Sequence, residues 1–328
     1  MPNIRRVSTW PALLYASAGG MFLISSFLLA RFIYIFPLSP TFNWASASDS
    51  FLSVVGVAAL AFFIYISIIW SFSQALGFFV ISILISTLAE FLGLNSGMTF
   101  GSFYYYHPDI EPRIAADLPM VIPLAWFIFC CIPLILLRPW LVRTQSSAVV
   151  KGRDVFQVTK RKRAGWRETL RASDASSAIN ESSDSQIIIL VKRVLFCSLL
   201  LTSCNLYLEP LFVYTKSWIW DQQGSYHGAP LANLFGWFLV GILVYSCFFY
   251  LQSRWYRNTP STSSRLDYLL IALFLMWVIV ALVMIHEKLN SLMPLWLTLM
   301  VLGPSLSFRV LEERRRLRIR QFVEGPRQ

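Results

Sequence analysis

Residues 51–94 read FLSVVGVAALAFFIYISIIWSFSQALGFFVISILISTLAEFLGL, and the only charged residue among them is Glu90. Two apolar runs, Phe51–Ser71 and Gln74–Leu94, stand almost back to back. Each has the length, roughly 20 residues, at which a helix crosses the hydrocarbon core of a bilayer. In lipid a backbone must satisfy its own hydrogen bonds, and these runs are too long and too evenly apolar for barrel strands. The pair predicts a tight hairpin of transmembrane helices.

The pattern repeats on both sides. Trp10–Ala30, Leu118–Leu137, Val194–Val213, Leu234–Leu251, Tyr268–Ile285 and Leu292–Phe308 are further apolar runs, so the expected fold is an all-α polytopic bundle of about eight spans. Of the 328 residues 56% are hydrophobic and 14% charged, and the mean hydropathy is +0.58. Soluble domains carry roughly 25% charged residues. The composition argues against a soluble enzyme, a nucleic-acid-binding domain and a disordered chain. Arg5 and Arg6 precede a run of full spanning length, unlike a cleavable signal peptide. The five cysteines all lie in apolar runs without metal spacing and are expected to be small buried hydrophobes.

The net charge of +11 has a topological reading. With the N-terminus in the cytoplasm, 24 of the 28 Lys and Arg fall in inner segments and 4 in outer loops. This is the cytoplasmic excess of cations usual for membrane proteins, and it places both termini inside. The expected organisation is a first four-helix half over 1–143, a basic, Ser-rich, disordered cytoplasmic loop over 144–186, a second half over 187–311 and a basic tail over 312–328. The run Lys160-Arg161-Lys162-Arg163 suits anionic lipid heads, although a solvated, topology-fixing loop explains it as well.

Ionisable residues inside spans are costly, which makes them candidates for function. Glu90 and Glu209 lie near the outer ends of the third and fifth spans. At 1.5 Å per residue they sit roughly 24 and 25 Å above Gln74 and Lys192, a matching depth. Each is followed by an outer loop dense in glycine and aromatics. One runs from Gly93 through Ser96-Gly97-Met98-Thr99-Phe100-Gly101 to Tyr104-Tyr105-Tyr106-His107. The other contains Trp218, Trp220, Asp221, Gly224-Ser225-Tyr226-His227-Gly228-Ala229-Pro230, Asn233 and Trp237. An aromatic interfacial belt accounts for Trp and Tyr in general, but not for polar residues concentrated in two of four outer loops. Gly101-Ser102-Phe103 and Gly224-Ser225-Tyr226 echo one another too briefly to establish a duplication. His107, Asp109 and Glu111 are a weak metal pattern broken by prolines. No nucleotide, dinucleotide, zinc-protease or serine-hydrolase motif appears, so no cofactor or metal is expected.

These two segments resemble the membrane carotenoid-biosynthesis proteins of the CruF type, the carotenoid hydratases. The first match is Glu90, Ser96-Gly97, Phe100-Gly101, Tyr104 and Tyr106, followed by Pro119, Ile122, Pro123, Leu124, Ala125 and Trp126. The second is Glu209, Trp218, Trp220, Gly224, Tyr226, Gly228, Pro230, Asn233, Gly236 and Trp237. Ser96 stands where the family usually has Thr, Glu209 where it has Asp, and His227 and Ala229 where it has Tyr and Val. The resemblance implies addition of water to the terminal double bond of an acyclic carotenoid end. That unactivated alkene needs a strong proton donor, and a desolvated carboxylic acid can hold such a proton near neutral pH. Aromatic faces stabilise the cation. On this reading Glu90, Glu209, Asp221 and His227 are the catalytic candidates. Thr99, Tyr104, Tyr106, Trp126, Trp218, Trp220, Tyr226, Asn233 and Trp237 would enclose the end group. The implied partners are an acyclic carotenoid or related polyene, membrane lipid and other carotenoid-pathway enzymes, with no nucleic acid. The implied location is the cell membrane of a prokaryote. Two other readings remain open at this stage: a non-enzymatic transporter of a lipid or small molecule, and a divergent isoprenoid-modifying enzyme.

Overall fold

The computed structural model describes residues 44–114, 117–141 and 172–255, together with residues 20 and 24 and scattered positions between 268 and 314. Its elements are α1 (Trp44–Ile69), α2 (Phe72–Ser96), β1 (Tyr104–Tyr106), α3 (Val121–Leu136), α4 (Ala172–Tyr214), β2 (Trp218–Trp220) and α5 (Leu231–Trp255). Among the described residues, four stretches are long and apolar enough to cross a membrane: Phe51–Ile69, Phe72–Ser96, Ile187–Tyr214 and Leu231–Ser253. They correspond to expected spans two, three, five and six. Expected spans one, seven and eight fall mostly outside the described residues, as does the tail.

The expected hairpin is present. Only Trp70 and Ser71 separate α1 from α2, and the Ser71 side chain caps α2 by accepting from the backbone N–H of Gln74 at 3.3 Å. At the other end α2 stops at Gly97, which takes φ 66 and donates its N–H to the carbonyl of Gly93. A side chain there would be strained, so glycine is the residue that lets the chain turn sharply off the helix.

Expected span four is shorter than its sequence implied. Helix α3 has 16 residues, about 24 Å, less than the roughly 30 Å of a hydrocarbon core. Leu118 and Pro119 instead belong to the preceding loop, where Pro119 bridges to Arg113. Most of α3 is buried, as a helix apolar on all sides must be. It packs against α1, α2 and α4, while α5 lies against α2 and α4. The long α4 corrects another expectation. Residues 172–186, assigned from sequence to a disordered loop, carry helical backbone continuous with the span. The rest of that loop, 144–171, lies outside the described residues. Of the cysteines, Cys130, Cys131, Cys197 and Cys204 are buried but Cys247 is exposed, because it falls on the outward side of α5.

One further departure from an all-helical bundle positions the site. The loops after α2 and α4 meet as a two-stranded antiparallel ribbon, with Tyr104 opposite Trp220 and Tyr106 opposite Trp218. Side chains alternate across a strand, so Tyr104 and Tyr106 share one face while Tyr105 is exposed. The chain thus takes the same course twice: a helix with a glutamate near its end, a loop, a strand with aromatics at its first and third positions, then a helix. The ribbon joins the two courses over the ends of the helices.

Candidate active site

Glu90 is 4% exposed and Glu209 1% exposed. Burying a carboxyl is tolerable only when its oxygens are hydrogen-bonded, and here the ribbon and the neighbouring helices supply the partners. On Glu90, Oε2 accepts from the hydroxyl of Tyr104 and from that of Tyr106 at 2.7 Å, and Oε1 accepts from Trp126 Nε1 at 2.7 Å. On Glu209, Oε1 accepts from Trp218 Nε1 at 2.8 Å and Trp220 Nε1 at 2.7 Å, and Oε2 accepts from Asn233 Nδ2 at 2.6 Å. With its amide turned to suit its neighbours, Asn205 donates to Glu209 Oε2 at 3.3 Å and accepts from Asn233 and Trp237. Burial and the neighbouring Glu90 push both phenols, Tyr104 and Tyr106, well above the ordinary tyrosine range. They therefore stay neutral hydroxyls at any working pH.

Both carboxyls open on one cavity of about 60 Å³, room for a few waters or the tip of a chain. Its walls include Phe51, Phe100, Phe129, Phe212 and the four ribbon aromatics. In the lining, Trp126 and Trp237 stack on each other at 4.1 Å, Phe212 stacks on Trp218 at 4.5 Å, and Tyr104 meets Trp220 at 4.9 Å. The result is an apolar, aromatic chamber with two acidic groups set in it. Such a chamber suits a hydrocarbon end group on which positive charge develops.

Of the expected site residues, the structure brings together Glu90, Glu209, Tyr104, Tyr106, Trp126, Trp218, Trp220, Asn233 and Trp237. Four others stand apart. Asp221 is exposed, and its backbone N–H donates to the carbonyl of Phe103, extending the ribbon. His227, with φ 51, turns away in a tight loop in which Gly224 bridges to Gly228, and its Nε2 lies 3.4 Å from Ser291 Oγ. Burial lowers its pKa. Thr99 is half-buried, with its carbonyl against α5 at Gly236. Tyr226 is buried for a structural reason. Pro210, inside α4, has no N–H to give the carbonyl of Leu206, four residues earlier. The Tyr226 hydroxyl donates to that carbonyl at 2.5 Å, and so holds the loop to the helix where Glu209 sits.

Sequence reasoning missed Asn205, Ser217 and the aromatic walls Phe51, Phe129 and Phe212, and gave Phe100 no place in the site. A signal existed for Asn205, since residues four apart share a helix face. The others line the cavity only through tertiary packing. The weak metal pattern does not assemble: Glu111 pairs with Arg113 at 3.6 Å, and among the described residues no group of three potential ligands gathers.

The family described as carotenoid biosynthesis proteins matches residues 49–160 and 170–304, and the chain belongs to that family. The matched segments contain every cavity-lining residue named above. No curated protein and no solved structure matches the chain.

Proposed function

We propose that this protein is a carotenoid hydratase, adding water across the terminal double bond of an acyclic carotenoid end group. The observation that carries the reading is that Glu90 and Glu209, from different helices, line one aromatic cavity. Protonation of an unactivated alkene needs an acid withdrawn from water, a surrounding that tolerates a tertiary cation, and a water held close by. The carboxyl pair supplies the acid and the negative charge, and the indole and phenol faces supply the cation-stabilising walls. The site end of the bundle is taken as the outer one, with about eight spans and both termini in the cytoplasm, on the strength of the cation distribution. A polyene lying among the helices would then present its end to the cavity.

The test is expression in a host that makes acyclic carotenoids, followed by mass analysis of the extracted pigments. The wild type is expected to give a pigment heavier by one water. Glu90→Gln and Glu209→Gln, which keep shape but remove the acid or the charge, are expected to accumulate the unhydrated precursor, with turnover lowered roughly a hundredfold or more. Hydration at the wild-type level in both variants would refute the mechanism. Absence of any hydrated product from the wild type would refute the activity.

A further inference from the structure

The hydrogen-bond partners of the two carboxyls differ in kind. An indole N–H and an amide NH₂ only donate, whereas a phenol hydroxyl both donates and accepts. Glu209 meets donors alone: two indoles on Oε1, and the amide nitrogens of Asn233 and Asn205 on Oε2. A carboxylate offers about four lone-pair sites, and these donors occupy them all. A proton on Glu209 would face N–H groups with nothing to accept it, and a water would find no open lone pair. Glu90 is surrounded differently. Tyr104 and Tyr106 converge on its Oε2, and each hydroxyl can accept as well as donate. A proton on Oε2 is accommodated there: the carboxyl can donate to one phenol oxygen while still accepting from the other phenol.

We propose that Glu90 carries the proton given to the substrate, and that Glu209 is a fixed anion that stabilises the cation rather than a base that activates water. The catalytic use of this division rests on the hydratase reading, but the division itself does not. Two carboxyls on one small cavity cannot both be charged cheaply, and the surrounding donors decide which one is. In the reaction the Oε2–H bond of Glu90 breaks and a C–H bond forms at the less substituted alkene carbon. The alkene's electron pair makes that bond and leaves a tertiary cation opposite Glu209. A water oxygen then bonds to the cation. The proton it sheds returns to Glu90 through the Tyr106 hydroxyl, so one residue both gives and recovers the proton. One alkene and one water become one alcohol, with no redox change.

Infrared spectroscopy of the full-length, detergent-solubilised protein at neutral pH, in H₂O and D₂O, tests the division without substrate. The wild type is expected to show a protonated-carboxyl C=O band that shifts in D₂O. Glu90→Gln is expected to remove it and Glu209→Gln to leave it. Should Glu90→Gln not fold, Tyr106→Phe is expected to move the band while Trp220→Phe leaves it in place. The proposal is overturned if the wild type has no such band, if Glu209→Gln removes it and Glu90→Gln does not, or if Trp220→Phe moves it and Tyr106→Phe does not. Failure to detect a hydrated pigment would sink the hydratase reading and leave this spectrum standing.

Discussion

Tyr226 illustrates how a residue's chemistry depends on what its neighbour lacks. Its place in an aromatic loop made it a candidate for the substrate wall, yet its hydroxyl serves the Leu206 carbonyl that Pro210 leaves without a donor. Tyr226→Phe is therefore expected to lower stability by about 1–3 kcal/mol, the cost of an unsatisfied buried acceptor, read as an earlier thermal unfolding transition in detergent. Asp221→Asn and His227→Ala, whose side chains do not line the cavity, are expected to hydrate at close to the wild-type rate. A large loss of turnover in either, with unchanged stability, would return those residues to the catalytic set. Glu90 and Glu209 were legible in the sequence because lone carboxyls in apolar spans have few benign explanations. Asp221 and His227 lie outside the cavity lining, which the sequence could not show, because composition reports that a loop is polar, not which way its side chains turn.

At the scale of elements, the sequence revealed the hairpin of α1 and α2, whose runs are long and uninterrupted. It concealed the ribbon. Tyr104 and Tyr106 follow Glu90 by 14 and 16 residues, while Trp218 and Trp220 follow Glu209 by 9 and 11. The unequal spacing hides the correspondence between the two courses. The echo that was visible, Gly101-Ser102-Phe103 with Gly224-Ser225-Tyr226, does not mark equivalent places, since one precedes its strand and the other follows it. The loop is held on α5 by close backbone approach. A Cβ at Gly236 would lie 2.3 Å from the Thr99 carbonyl oxygen and 2.6 Å from the Phe100 ring. Gly236→Ala is thus expected to push the Glu90 loop off α5. Displacing catalytic groups by about 1 Å can cost roughly a hundredfold in rate, and circular dichroism should show helix content intact. Wild-type turnover in this variant would mean that the ribbon tolerates displacement and does not set the geometry.

At the scale of the whole molecule, two expectations rest on charge and composition. Single cysteines introduced at positions 165 and 221 of an otherwise cysteine-free protein should differ in intact cells. An impermeant reagent is expected to label 221 and spare 165, and the reverse would invert the topology. The family match leaves out the residues between 160 and 170, where the basic run ends. Deleting residues 150–170, short of the start of α4, is expected to leave hydration largely intact in protein that still inserts. The four long apolar helices were legible because bilayer thickness sets a minimum length for a run that crosses it, whereas α3 is shorter than its run implied. The cavity was only half legible, because its lining comes from seven separate elements that local periodicity does not bring together.

If two buried carboxyls add water to a polyene end, the oxygen of the product comes from solvent, and oxygen labelling reads this. Membranes containing the protein would be incubated with an acyclic carotenoid in water enriched in oxygen-18, and the pigment analysed by mass spectrometry. The wild type is expected to yield an alcohol carrying one labelled oxygen, whereas Glu90→Gln and Glu209→Gln yield almost none. An unlabelled alcohol, or full labelling by both variants, would contradict the account.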